Sequence, residues 1–433
     1  MVVTKKTHPL QEGKSMKVAK KLLVGVSLVS AVGLLAACGN SSKSSNGGKT
    51  KEIEFFSQKK EMQPTLQKII KDFEKENPDI KVKFTNVPDA GKVLKTRIAS
   101  GDTPDVVNVY PQNADFQEWA KAGVFEDLTG KDYLKNLKEG AAETYAINDK
   151  IYSIPLTNNA WGFFYNADKF KELGLEVPKT WDDFEKLVAT IKDKGETPFA
   201  LALTQADSWT LNGYHQLAWA TVAGGFKAAN DELVRSPKDG IKTSSEVFQQ
   251  VTKELDLLHG NGQKNATGAT YDDAIATFAK GDALIFPNGI WALPAIQNQH
   301  PKFEVRTFAY PGVKEGQELT VGAADLALSV SNKSKNKEAA NKFMKYMTTK
   351  AAMQKYYDVD GSPTSVTAVD TKGKFEETKG VTQYVFTDKQ IVWLQKEWIS
   401  EEKFWHATVN YVNSQKPDQL ANDLNTFFNT MKK

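Results

Sequence analysis

Residues 155–172 read PLTNNAWGFFYNADKFKE. Pro155 suits a turn, and Thr157, Asn158 and Asn159 after it are polar. Gly162-Phe163-Phe164-Tyr165 is then too apolar a run to face water, and Asn166 stands before a helical stretch. This is a loop followed by a strand, placed to carry the chain from one domain into another. Each asparagine amide offers two donors and two acceptors, which suits a hydroxyl-rich ligand. The same pair of amides equally suits stabilising a turn.

On either side of this stretch the pattern alternates. Ile53 to Phe56 is a strand, and Pro64 opens a helix with Leu66, Ile69, Ile70 and Phe73 on one face, stopped at Asn77-Pro78. Ile80, Val82 and Phe84 alternate as a half-buried strand, 105–110 is an inner strand, and 113–122 is a helix ending at Gly123. Further on, 181–193 is an amphipathic helix, Phe199–Leu203, 282–286 and 327–330 are strands, and 337–357 is one long helix. This rhythm predicts an α/β fold with mixed or parallel sheets flanked by helices.

At 433 residues the chain exceeds one hydrophobic core, so two domains are expected. The formal charge of +3 is uneven: residues 1–37 hold six lysines and one acid, Glu12, which leaves the other residues slightly acidic. A near-neutral body argues against binding nucleic acid. The single cysteine, Cys38, excludes internal disulfides, Cys-rich zinc sites and iron–sulfur ligation.

Lys17, Lys20 and Lys21 precede the apolar run from Leu22 to Ala37, the form of a secretory signal (residues 1–37) and shorter than the ~20 residues of a comfortable bilayer span. Leu35-Ala36-Ala37-Cys38 resembles a bacterial lipobox, which implies lipidation of Cys38. Either Met1 or Met16 suits as the start. Residues 38–50 hold nothing apolar to bury after the cysteine and read as a flexible tether roughly 20 Å in reach.

No nucleophile elbow, phosphate loop, dinucleotide fingerprint or zinc-protease motif occurs. The histidines lack ligand spacing, and the calcium-loop-like start at Asp358 is broken by Pro363. With 53 acidic residues, a pair of carboxylates for glycoside cleavage is not excluded by counting.

The segment P-L-T-x4-G-F-F-Y-N-x3-F-x-E from Pro155 resembles the signature of the extracellular solute-binding lipoproteins of bacterial ABC sugar importers. The lipobox, the stretches Pro64–Val82, Ser100–Val106 and Pro178–Phe184, Phe278–Ala283 with Asn288–Trp291, and Ser331–Phe343 follow the same family in order. The resemblance is strongest toward multiple-sugar and raffinose-type binders. It implies a two-lobed, periplasmic-binding-protein-like fold joined by a multi-crossing hinge, with lobe one at 51–162 plus 311–360 and lobe two at 163–310 plus 361–433. It further implies a monomer, lipid-anchored on the outer face of a Gram-positive cell membrane, that binds an oligosaccharide without any cofactor or metal, performs no catalysis, and delivers its ligand to the permease subunits.

A sugar presents apolar faces and a rim of hydroxyls, so its site needs flat aromatic rings and planar polar groups. Trp291, just past a strand end and at the family's G-x-W stacking position, is expected as a platform, as is Trp209 in the polar stretch 204–210, with Asp207 beside it. From the other lobe come Glu61 in the loop after the first strand, Gln112 and Asn113 after strand 105–110, and Asp325 before strand 327–330. Asn159 stands where the family often has a polar sugar contact. Trp119, Trp181 and Trp219 are expected in the core. An anchored glycoside hydrolase, or the same scaffold binding a peptide, metal chelate or polyamine, are the competing readings.

Overall fold

The computed structural model describes residues 50–87 and 90–432, so the expected signal peptide, Cys38 and all but the last residue of the expected tether lie outside the described residues. The chain forms two α/β lobes. The first is built on a five-stranded sheet in the order β2-β1-β3-β9-β4, where β1 is Lys51–Phe56, β2 Ile80–Thr85, β3 Val106–Val109, β4 Ile154–Pro155 and β9 Ala327–Val330. β1 runs parallel to β2 and β3, while β9 runs antiparallel to β3 and β4. Alternation in β2 buries Ile80 and Val82 and leaves Lys81 and Lys83 outward, whereas β3 is buried throughout, as an inner strand must be.

The helix Gln63–Glu76 begins with Pro64 in its first turn and buries Leu66, Ile69, Ile70 and Phe73. Each such burial contributes roughly 1.5–3 kcal/mol. Phe73 meets Phe343 of the helix Lys337–Met347 edge-on at 5.1 Å, and Phe343 in turn packs on Phe55 of β1 at 5.3 Å.

The second lobe holds a three-stranded antiparallel sheet, β6-β5-β7, with β5 Trp161–Asn166, β6 Ile285–Gly289 and β7 Val305–Phe308. The apolar run expected as a strand is therefore its central one. Phe163 stacks on Phe308 at 4.9 Å and packs on Phe184 of the helix Trp181–Asp193 at 4.8 Å. Asn166 caps the helix Ala167–Leu173, its side chain accepting from Lys169 N.

Chain segments pass between the sheets side by side. Residues 156–160 lead from β4 to β5. The return runs through the short strand β8 (Thr320–Val321), and the third segment contains β10 (Gln390–Ile391), which pairs parallel with β8. Backbone bonds lace them: Leu156 N to Leu326 O at 2.8 Å, Asn158 N to Pro363 O at 2.8 Å, Asn159 N to Ala323 O at 2.8 Å and Gly322 N to Ile391 O at 3.0 Å. Gly322 is required by contact: a Cβ there would lie 2.1 Å from Asn159 O.

Three expectations change. Phe199–Leu203 forms isolated bridges rather than a strand: Phe199 bridges Gly262 and Ile285, and the Leu201 backbone is then taken by the Gln263 side chain, its N–H donating to Oε1 at 2.8 Å and its O accepting from Nε2 at 2.7 Å. The strand expected at 282–286 runs 285–289, since Gly281 at φ +81° first ends the preceding helix. The long helix 337–357 is two, Lys337–Met347 and Lys350–Asp360, because Thr349 caps a new start by accepting from Ala352 N. Among the described residues no helix is long and apolar enough to cross a membrane.

Candidate ligand-binding cavity

Loops from both lobes and a crossing segment converge on a cavity of about 300 Å³. The loop after β1 supplies Gln58, Lys59 and Glu61; the loop after β3 supplies Tyr110, Gln112 and Asn113; the turn before β9 supplies Asp325; and the first crossing supplies Asn159. From the second lobe come Trp209, Asn212 and Trp291, and from the C-terminal part Trp393, Gln395, Glu401 and Trp405.

Of the residues expected from sequence, Glu61, Gln112, Asn113, Asn159, Trp209, Trp291 and Asp325 line this cavity together. Asp207 does not line it: its carboxylate accepts from Thr204 Oγ1 at 3.1 Å and closes a turn before the 3₁₀ segment Ser208–Leu211. Trp181 and Trp219 are core side chains, and Trp119 packs half-buried against the core.

The polar floor is organised around Lys59, which is 5% exposed. Its Nζ lies 2.6 Å from Asp325 Oδ2 and 2.6 Å from Glu61 Oε1. Burial pulls the ammonium pKa down, but Asp325 and then Glu61 outweigh it and hold the group well above 10.5, so Lys59 stays charged. Asn159 Nδ2 donates to Asp325 Oδ1 at 3.3 Å, while its Oδ1 accepts from Ala323 N at 2.9 Å and from Trp393 Nε1 at 3.4 Å. Gln112 is held by a donation from Nε2 to Ala324 O at 3.2 Å, which leaves Oε1 buried without a partner. Asn113 Oδ1 and Trp405 Nε1 are also buried and unpartnered. Unsatisfied polar atoms are costly inside a protein, and all three belong to side chains that line this cavity.

Apolar walls complete the cavity. Trp291 lies 6.5 Å from Trp393, centroid to centroid, and Trp209 meets Tyr271 edge-on at 4.9 Å. Asn212 and Gln395 are joined at 3.1 Å, and Gln216 behind them donates to both, so the amides are pre-set. Glu401 is pushed up to about 7 by burial and then by the charge of Asp115. The arrangement offers flat rings, planar amides and one ammonium already clasped by carboxylates, a set that can hold a neutral polyhydroxylated guest. Among the described residues no His/Cys/Asp/Glu cluster could hold a metal.

Residues 57–354 match the bacterial extracellular solute-binding protein family. The chain belongs to that family. A multiple sugar-binding protein of Streptococcus mutans is 56% identical over 421 residues, spanning 96% of this chain and 99% of the relative. Among solved structures, a solute-binding protein described as RafE in complex with raffinose is 55% identical and superposes with a TM-score of 0.87 over 89% of this chain and all of the other. The apo form of RafE from Streptococcus pneumoniae, also 55% identical, gives 0.80 over 89% of this chain and 99% of its own. As a solute-binding protein, the chain has its cavity where sheet-end loops of both lobes meet, a favoured place for ligands in α/β folds.

The residues missed from sequence are instructive. Gln58 and Lys59 share the loop that holds Glu61, and Tyr110 directly follows β3, two residues before Gln112. Trp393, Gln395, Glu401 and Trp405 lie in the C-terminal seventy residues, which carry no motif. One signal was there: Trp405 sits off the stripe Phe404, Thr408, Tyr411 and Val412 that the helix Glu402–Ser414 buries.

Proposed function

We propose that this protein captures an oligosaccharide in the cavity and delivers it, chemically unaltered, to the permease of an ABC importer, held at the outer face of the membrane by lipid on Cys38. The observation that carries this reading is the joining, in one cavity, of four indoles (Trp209, Trp291, Trp393 and Trp405) with six side-chain amides and three residues that carry an unpartnered buried polar atom. Indoles suit the C–H faces of sugar rings and amides suit pairs of hydroxyls. The similarity to a multiple sugar-binding protein and to a protein bound to raffinose makes raffinose the first candidate. The higher TM-score to the complex than to the apo form supports lobes drawn together as around a ligand. The lobes divide at 51–162 plus 311–360 and 163–310 plus 361–433, and the protein acts as a monomer that closes about the crossing segments.

Glycoside cleavage is disfavoured by the floor: Glu61 and Asp325 are both engaged by the one ammonium of Lys59, on the same side of the cavity, instead of standing apart to flank a glycosidic bond. Calorimetry with raffinose and a panel of di- to tetrasaccharides tests the reading. Micromolar binding, about −8 kcal/mol, with the sugar recovered intact is expected. No heat from any sugar overturns it, and recovered cleavage products would establish a hydrolase instead.

A further inference from the structure

An amide carries its oxygen and its nitrogen in nearly the same shape, so the groups around it decide which end a ligand meets. At one wall of the cavity a backbone group settles this. The N–H of Leu394 can only donate, and it meets Gln216 Oε1 at 2.6 Å. Gln216 is fully buried in the helix Asn212–Ala223, one turn beyond Asn212, and is no part of the cavity lining. With its oxygen so held, its Nε2 donates to Asn212 Oδ1 at 2.8 Å and to Gln395 Oε1 at 2.6 Å. Asn212 Nδ2 donates to the same Gln395 oxygen at 3.1 Å. Turning the Gln216 amide over would set N–H against N–H at Leu394 and oxygen against two oxygens, leaving buried groups unpaired.

The hydrogen count then orients both cavity amides. The two N–H groups of Gln216 are used. Gln395 Oε1 takes two donors, one for each lone pair, so what Gln395 has left is Nε2 with both its N–H groups. Asn212 turns its oxygen to Gln216, spends one N–H on Gln395 and retains the second. Gln112, from the first lobe, is anchored in the reverse sense: its Nε2 donates to the carbonyl of Ala324 at 3.2 Å, and its oxygen is the end without a partner.

We propose that Gln216 is a positioning residue that presents Asn212 and Gln395 to the ligand as hydrogen-bond donors. The oxygens they meet on a sugar act as acceptors, so this wall reads ring and glycosidic oxygens as well as hydroxyls, and a hydroxyl there keeps its own proton for another partner. This deepens the sugar-binding reading and rests on it.

Side-chain amide NMR and calorimetry test it. In the sugar-free protein the amide protons of Gln216 should be protected from exchange with water and those of Gln395 should not; raffinose should protect Gln395. Gln216→Met removes the anchor while keeping length and bulk. Raffinose should then bind about tenfold more weakly, and it should no longer protect Gln395. Among raffinose analogues altered at one hydroxyl, the parent protein should tolerate fluorine better than hydrogen at a position this wall meets, because fluorine accepts but cannot donate. Gln216→Met should not distinguish the two. Should Gln216→Met fail to fold, exchange and the analogue series on the parent protein decide. Freely exchanging Gln216 amide protons overturn the proposal, as do parental affinity in Gln216→Met or equal losses for fluorine and hydrogen at every position in the parent protein. If the parent protein binds no sugar, the functional reading fails, while exchange at Gln216 still tests the anchor.

Discussion

Gly289 lies directly against the indole of Trp291: a Cβ on Gly289 would fall 2.0 Å from Cζ3 of that ring. The glycine is thus required by close approach rather than by its backbone angle, and it fixes where the ring stands at the cavity wall. Gly289→Ala must swing the indole aside. Affinity for raffinose should drop about tenfold or more, and Trp291→Ala should abolish it while leaving the melting temperature within a few degrees, because Trp291 is only half-buried. Calorimetry and thermal melting on the same samples check both.

Lys59→Met removes the ammonium between Asp325 and Glu61 and leaves Asp325, 4% exposed, without its cation. Breaking a buried pair from one side costs roughly 3–5 kcal/mol. A urea midpoint lowered accordingly is expected. A variant as stable as the parent would mean that the clasp is rebuilt by water or by rearrangement.

Stability should depend on pH through Glu254, which is fully buried and accepts a hydrogen bond from Tyr310 Oη at 2.6 Å. Burial pushes its carboxyl from 4.5 up to about 8. Its folded form therefore keeps a proton that the unfolded chain has released, so this contribution is whole below about pH 4.5 and is lost as pH rises through about 8. Melting temperature should fall between pH 5 and 8.5, and Glu254→Gln should flatten that slope.

Trp405→Phe keeps an aromatic ring but deletes the buried, unpartnered Nε1 donor. If a sugar oxygen completes it, affinity should fall about tenfold, near the worth of one hydrogen bond to an otherwise stranded donor. Unchanged affinity with unchanged stability would assign that nitrogen to water.

The two-lobed α/β architecture was legible because its strands are strongly marked: Gly162 to Tyr165 is short and apolar throughout, Val106 to Val109 is short and apolar except for Asn108, and Pro64 and Asn77-Pro78 punctuate the first helix. Errors came where local chemistry competed with pattern, as at Thr349, whose hydroxyl restarts a helix within a continuous apolar stripe. Cavity residues beside strong strands, such as Gln112 and Asp325, could be named because a strand end points its next loop at a cleft. Asp207 shared that placement but spends its carboxylate on Thr204. Trp393 and Trp405 follow no marked strand; their place depends on the β8–β10 pairing, a contact between residues some seventy positions apart that no local pattern encodes.

The first sheet stays unfinished until Ala327 arrives to sit between β3 and β4, and the front cavity lacks a wall until Trp405 does. A growing chain therefore spends most of its synthesis with an open core and nowhere for a guest to settle. Ligand cannot help the early stages of folding, and a premature stop anywhere before the final helices yields a polypeptide deaf to sugar however well its N-terminal half is made.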